Sequence, residues 1–402
     1  MKNITPTPVL LGGDLNAYNL ARAFHEEYGV KSHVIGRYAV SATKYSKIII
    51  PHIVPDLDDK DSLRNTLDRF AEEHTGENLI LFGCTDDYVS MIIDLREEGA
   101  LTKYAVPYTS VRCRDLFAEK ADFYLMCEKY GIPYPKTLIL SKDETADLLG
   151  FDYPIVIKPS SSAEYWRHPF DGMRKVYYAE SATDAVGIIK SIFASGYDRR
   201  IIVQEKIPGG DGKMRVLTTF SDGDGKVRLT SLGHVLLEEH TPHGIGNHSA
   251  IITEYAPELT APFVRMLEAE RYTGFCNFDI VRDNKSGKYL ALDMNLRQGR
   301  SNYYVTAAGA NIAKIASENV LFNNPTEPAE TKNEVFWHNV PKGVVYKYSK
   351  DSELISRAKS LSKSGHESSS LFYSYDMMRS PVRAACVLYM CANQYKKYKV
   401  NS

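Results

Sequence analysis

Two apolar strings, Gly274-Phe-Cys-Asn-Phe-Asp-Ile-Val-Arg-Asp283 and Tyr289-Leu-Ala-Leu-Asp-Met-Asn-Leu-Arg297, carry carboxylates, amides and a guanidinium at alternating positions. Alternation of this kind is the pattern of a half-buried strand. The intervening Asp283-Asn-Lys-Ser-Gly-Lys288 is turn-forming, so the pair predicts a β-hairpin with a longer loop. Side chains two apart share a face, which groups Asn277 with Asp279, and Asp293 with Asn295 and Arg297. A turn closing near Asp283 and Lys288 puts Asp279 almost opposite Asp293. Like charges across a ladder repel unless a cation stands between them. Hard oxygen donors at this spacing suit Mg²⁺, which keeps several waters and takes further ligands from a phosphate. The plain alternative is a pair of solvated carboxylates on an edge hairpin.

Cations lie upstream. Tyr153-Pro-Ile-Val-Ile-Lys-Pro159 is a short buried-strand string closed by proline, which leaves Lys158 at the strand's mouth; an ordinary solvated lysine is the alternative. The stretch from Ser160 to Lys175 is long and polar, and segments of that length inside compact domains tend to be functional lids. Arg200-Ile-Ile-Val-Gln-Glu-Lys-Ile-Pro-Gly-Gly-Asp-Gly212 runs an apolar strand into a Pro/Gly connector.

The elements that would position these groups follow from periodicity. Pro8–Leu11, Lys31–Gly36 and Leu79–Phe82 are short apolar strands with helical stretches between them, which predicts a parallel sheet covered on both faces. In such a sheet ligands bind beyond the strands' carboxyl ends, so Gly13, Asp14, Thr85 and Asp86 are candidate substrate contacts. The turn Gly12-Gly13-Asp14 lacks the G-x-G-x-x-G fingerprint, which argues against a dinucleotide site. A helix is expected from Ser110 to Tyr130, stopped by Gly131 with Pro133 and Pro135 beyond. A charged helix near Glu144, strands at 214–220 and 227–234, a polar loop at 241–248 and a helix from Glu258 to Glu270 come next. Ser360–Ser370 has the composition of a solvated loop, and Arg383–Lys399 that of a packed terminal helix.

The totals narrow the class. The 402 residues carry a formal charge of −1, which argues against a nucleic-acid partner. No apolar run is long enough to span a bilayer, and the opening residues lack a signal-peptide core. Six scattered cysteines without C-x-x-C or zinc spacing point to a reduced, cytoplasmic protein.

Lys120 after a helix, Lys158 in Ile-Lys-Pro, the connector Val203-Gln-Glu-Lys-Ile-Pro-Gly209, Asp279, and Asp293-x-Asn295-x-Arg297 occur in an order that resembles the ATP-grasp carboxylate–amine ligases. The resemblance covers about residues 1–325. Gly12-Gly-Asp-Leu-Asn-Ala-Tyr-Asn-Leu-Ala-Arg22, Leu232-Gly-His-x-Leu-Leu-Glu238 and Asn295-Leu-Arg-Gln-Gly-Arg-Ser301 look, within that superfamily, like the D-aspartate ligases of cell-wall assembly. The implied fold is α/β (α+β): an ATP-grasp fold preceded by an open, Rossmann-like parallel sheet. Its implied segments are 1–110 (pre-ATP-grasp), 111–200 (central and lid), 201–327 (nucleotide and metal) and 328–402 (C-terminal extension).

The same resemblance implies ATP with two Mg²⁺ ions, and a site for each group. Lys120 and Lys158 would neutralise phosphate oxygens, with Ser160, Ser161 and Ser162 covering them. Glu205, Lys206 and Ile207 would meet the adenine edge and Asp211 the ribose. Asp279, Asp293 and Asn295 would hold metal. Arg297, with Arg300 and Arg215, would grip the transferring phosphoryl or a substrate carboxylate. Two departures stand out: the phosphate loop is serine-rich with a single Gly172, and Asp293 replaces the usual glutamate. The implied substrates are an amino-acid donor, D-aspartate, and the lysine amine of a muramyl peptide; the resemblance leaves room for a homodimer. A ligase for another amino acid, such as D-serine or an L-amino acid, and a non-catalytic nucleotide-binding regulator are the competing readings.

Overall fold

The computed structural model describes residues 5–117, 119–142, 144, 150–241, 244 and 246–401, and leaves aside the side chains of Ser162 and Ala163. It divides into two compact units. The larger holds residues 1–113, 210–277 and 295–402, and the smaller 114–209 and 278–294. The expected C-terminal extension is therefore part of the larger unit. The charged helix expected near Glu144 falls largely outside the described residues.

The larger unit opens with strands β1 (Pro6–Leu11), β2 (Ser32–Gly36), β3 (Ile49–Ile53), β4 (Asn78–Gly83) and β5 (Tyr104–Ala105), all parallel in the order β3-β2-β1-β4-β5. Val9, Leu10, Leu11, Ile80, Leu81 and Phe82 are wholly buried, as strands covered on both faces require. The chain steps outward from β1 to β3, then returns to lay β4 on β1's other side. The carboxyl ends of β1 and β4 thus form a topological switch point. Gly12 leaves β1 at φ +109°, a conformation open to glycine, and two helices, Leu15–Tyr28 and Asp86–Glu97, begin just past β1 and β4.

In the smaller unit β6 (Thr137–Leu140), β7 (Ile155–Pro159), β8 (Tyr177–Ala179) and β9 (Ile201–Glu205) form an antiparallel sheet ordered β6-β9-β7-β8. Ile155, Ile157, Ile201 and Val203 point to one face and build a core with Tyr165, Ala185, Ile189, Ile192 and Tyr197. Each such aliphatic contributes about 1.5–3 kcal/mol by burial. The opposite face is set by the same alternation and carries Lys158 and Gln204, since Val156 pairs with Gln204 and Lys158 with Ile202.

The helix expected over Ser110–Tyr130 is two helices, Val111–Phe117 and Lys120–Tyr130. Glu119 between them is extended, and the second helix starts afresh where Ser160 accepts the Lys120 N–H (3.3 Å) and its hydroxyl accepts the Ala121 N–H (3.0 Å). Gly131 ends it in the left-handed region at φ +64°, as its sequence position implies.

Returning to the larger unit, β10 (Met214–Ser221), β11 (Val227–Glu238) and β12 (His248–Glu254) pair antiparallel. Strand β13 (Gly274–Arg282) begins in the larger unit and ends in the smaller, where β14 (Tyr289–Asn295) folds back on it. The turn closes where predicted: Asp283 N–H donates to Lys288 O at 2.9 Å. β15 (Ala329–Glu330), β16 (Phe336–His338) and β17 (Glu367–Ser369) complete the larger unit's strands. The serine-rich run 360–370 is thus no solvated loop. It supplies the last turn of helix Ser352–Lys363 and then β17, paired with β16. Packing on the β12–β16 core overrides serine's weak preference for ordered elements. Among the described residues no helix is long and apolar enough to cross a membrane.

Candidate functional site

The smaller unit gathers Lys120, Lys158 and Asp293. Lys120 begins its helix, Lys158 sits at the end of β7 and Asp293 near the end of β14. The Lys120 ammonium donates to Asp293 Oδ2 at 2.7 Å, while Asp293 Oδ1 accepts the Met294 N–H at 3.0 Å. Lys158 donates to the Tyr124 hydroxyl at 3.0 Å, and that hydroxyl donates onward to Leu292 O at 2.7 Å. Gln204 Oε1 lies 3.4 Å from the same hydroxyl, and its amide nitrogen is held by Thr137 at 2.8 Å.

The charges set one another. Burial, with the neighbouring Lys120 ammonium, pulls Lys158 down to about 8, against the attraction of Asp293. For Asp293, burial acts upward but is outweighed by Lys120, Lys158 and the Met294 N–H, so its carboxyl lies below the ordinary value. Two close ammoniums beside a carboxylate are the kind of charge arrangement that can meet a polyanion.

Asp279 lies on β13 across the hairpin, and Asn295 shares Asp293's side of β14 by parity. Two carboxylates and an amide oxygen are hard donors of the kind Mg²⁺ accepts alongside phosphate and water. No group of three or more His, Cys, Asp or Glu suited to a metal occurs among the described residues.

Ser160 and Ser161 have partners within the chain. Besides starting the Lys120 helix, Ser160 donates to Glu119 (3.3 Å) and is 1% exposed. Ser161 accepts the Glu164 N–H at 3.3 Å, and the Ser162 side chain lies outside the described atoms. The segment after them is no featureless loop: helix Ser162–Tyr165 buries Tyr165, whose hydroxyl meets that of Tyr177 at 2.5 Å. Glu205 lies 3.9 Å from Lys285, and Lys206 sits exposed over the Tyr178 ring at 4.7 Å, with Ile207 half-buried beside it.

In the larger unit the switch point collects a second charged set. Asp14 caps the helix after β1 through the N–H groups of Asn16 and Ala17. Asp86 opens the helix after β4 and receives Arg297 in a two-pronged grip, Nε at 2.7 Å and Nη2 at 3.0 Å. Arg300 lies 3.9 Å from Asp14 and 3.3 Å from Glu239. Between the two arginines, buried Gln298 donates to Gly83 O (2.9 Å) and accepts from Tyr108 (3.0 Å). Asn302 donates to Asn16 at 2.7 Å and Asn19 donates to Arg300 O at 3.0 Å, fixing the arginine-bearing backbone on the first helix.

Arg215 and Asp211 are placed differently. Arg215 is 5% exposed and bonds Glu254 at 2.7 Å, whose other oxygen meets His234 at 2.8 Å. Burial alone would raise Glu254, but His234 and Arg215 hold it down at about 2. Asp211 accepts the Glu238 N–H (2.8 Å) and faces His240 (3.1 Å), so both its oxygens are answered within the chain. Tyr124, Gln204, Gln298 and Glu239 were not singled out in the sequence. Gln298 had a signal, lying between Arg297 and Arg300 in a motif already noted.

No family model matches the chain. The D-aspartate ligase of Enterococcus faecium (strain Aus0004) is 34% identical over 406 residues, covering 98% of this chain and 96% of that protein. Among solved structures, the biotin carboxylase domain of Hydrogenobacter thermophilus 2-oxoglutarate carboxylase, in complex with MgADP, ADP and bicarbonate, superposes with a TM-score of 0.60. It is 15% identical, over 82% of this chain and 73% of that one. An ADP complex of N5-carboxyaminoimidazole ribonucleotide synthetase gives 0.57 at 15% identity, over 85% and 84%.

Proposed function

The chain belongs to the ATP-grasp carbon–nitrogen ligases, in the family of D-aspartate ligase, and from that premise we propose that it joins the β-carboxylate of D-aspartate to the lysine ε-amine of a muramyl peptide in the cytoplasm, at the cost of ATP. The observation that carries this reading is the 34% identity running over 98% of the chain. The lysine pair and the hairpin carboxylates of the smaller unit are the physical support for the nucleotide half of the reaction. The switch-point arginines support the half that handles an anionic donor.

A carboxylate does not acylate an amine, because oxide is its leaving group. Transfer of the γ-phosphoryl from ATP to a carboxylate oxygen breaks the bond to ADP and gives an acyl phosphate. The deprotonated amine then forms the C–N bond as phosphate departs with the C–O electron pair. Negative charge concentrates on the phosphates throughout, so fixed cations dominate the catalysis. Lys120 and Lys158 meet phosphate oxygens. Asp279, Asp293 and Asn295 would hold Mg²⁺, which would supply charge neutralisation of the polyphosphate. Arg297, fixed on Asp86, would add its positive charge to the switch point, and Arg300 would offer its guanidinium to the donor's second carboxylate.

The test is a screen of D- and L-amino acids for ADP release, with and without a lysine-containing muramyl peptide. ADP formed only with D-aspartate plus peptide supports the reading. Preference for D-serine or an L-amino acid moves the chain to another donor, and AMP with pyrophosphate overturns the acyl-phosphate route.

A further inference from the structure

The arginine assigned above to the donor is held unlike the others. Arg297 grips Asp86 at 2.7 and 3.0 Å, and Arg215 bonds Glu254 at 2.7 Å. Arg300 stands 3.3 Å from Glu239 and 3.9 Å from Asp14, beyond the 2.7–2.9 Å of a charge-assisted bond, with 39% of its side chain exposed. Glu239 would be expected to draw this guanidinium in. It does so only through one long bond, Arg300 Nη1 to Glu239 Oε2 at 3.3 Å, while the other oxygen, Oε1, accepts from the Lys397 ammonium and from the Thr241 hydroxyl, the latter at 2.7 Å.

Lys397 reaches Glu239 from the terminal helix, Pro381–Asn401. Its neighbour Tyr398 anchors that turn: 1% exposed, its hydroxyl donates to Glu238 O and meets the Ser249 hydroxyl, each at 2.8 Å, and its ring packs on His240 and Tyr348. On Glu239's other flank, a Cβ at Gly244 would fall 2.2 Å from the carboxyl carbon, so any larger residue there would displace the carboxylate. Glu239 is therefore held in place, only 11% exposed, between two cations. With Lys397 the set Asp14, Glu239, Arg300 and Lys397 is neutral; without it the set carries one net negative charge.

We propose that Lys397 is a positioning residue for recognition of the anionic donor. It neutralises Glu239 and so leaves Arg300 its positive charge for a substrate carboxylate. The inference rests on the reading of Arg300 given above. It also assigns a role to the C-terminal extension: its last helix tunes the charge of the switch-point crevice. Lys397 acts through Glu239 and touches no substrate.

The experiment measures KM and kcat for D-aspartate, with ATP and peptide saturating, in the full-length chain. Arg300→Ala should raise KM. Lys397→Met should raise KM about tenfold with kcat changed by less than about twofold, as loss of one favourable charge near a binding anion does. Glu239→Gln placed on Lys397→Met should bring KM back toward the parent value, because the acid that captured Arg300 is then gone. Glu239→Gln alone should lower KM, and Lys397→Arg should leave it unchanged; these two variants decide the matter should Lys397→Met fold poorly. If Arg300→Ala raises KM and Lys397→Met does not, or the double variant shows no recovery, Lys397 is merely structural and the inference falls while the reading of Arg300 stands. An unchanged KM in Arg300→Ala overturns that reading and the inference with it.

Discussion

Raising the pH through 8 should loosen nucleotide binding, and Lys158 should be the reason. Burial and the adjacent Lys120 ammonium lower Lys158 to about 8, while Asp293 limits the fall. A lysine with a depressed pKa is charged below that value and neutral above it, so the cation offered to a phosphate is present at pH 7 and lost as the pH climbs. At pH 7 about nine-tenths of the chains carry the charge, and at pH 9 about one-tenth. If only the charged form binds well, the Kd for ADP should rise about tenfold between those values, which is about 1.4 kcal/mol. The assay is calorimetric titration with ADP and Mg²⁺ at half-unit steps from pH 7 to 9.5. ADP avoids the γ-phosphate's own titration. Lys158→Met should bind more weakly at pH 7 and lose the slope. Lys158→Arg should also lose it, since a guanidinium stays charged throughout. Equal Kd values at pH 7 and 9 in the parent chain, or an unchanged slope in Lys158→Met, would refute the reasoning.

Asp293→Ala should lower kcat by about a thousandfold with the fold intact, since it removes a charge that organises both lysines and the metal; steady-state rates and circular dichroism check the two halves. Glu254→Gln should destabilise the chain by about 3 kcal/mol at pH 7, because it strips the partner from buried Arg215 and because Glu254 titrates at about 2 when folded. Its folded pKa lies below the unfolded one, so this stability is full above about pH 4.5 and lost as the pH falls toward 2; urea titrations across that range should show the gap between variant and parent closing. Residues 166–175 should exchange amide hydrogen more slowly with nucleotide bound, while buried Tyr165 stays protected in both states; equal exchange with and without ADP would count against a lid.

The sequence made the site's charges legible and its supports much less so. Asp279, Asp293 and Lys158 stood out because polar groups at fixed parity in apolar strands need a reason to be there. Tyr124 did not, since an aromatic in a helix is ordinarily core, and only the fold shows its hydroxyl between Lys158 and Leu292 O. The family resemblance implied phosphate donors in the serines after Lys158. Ser160 instead starts a helix distant in sequence, a contact that no local pattern encodes. The break between Val111–Phe117 and Lys120–Tyr130 has the same origin. Lys397 illustrates the limit most sharply. One lysine in a basic tail carries no sign that it meets Glu239, 158 residues earlier, across the fold.

The bond that the chain makes decides its function. Incubation with ATP, Mg²⁺, D-aspartate and a lysine-containing muramyl peptide, followed by mass spectrometry with fragmentation of the product, reads that bond directly. A gain of one aspartyl residue on the lysine side chain, linked through its β-carboxyl, with D- but not L-aspartate and one ADP per bond, is the predicted result. Addition of a different amino acid, linkage elsewhere on the peptide, or indifference to chirality would contradict it.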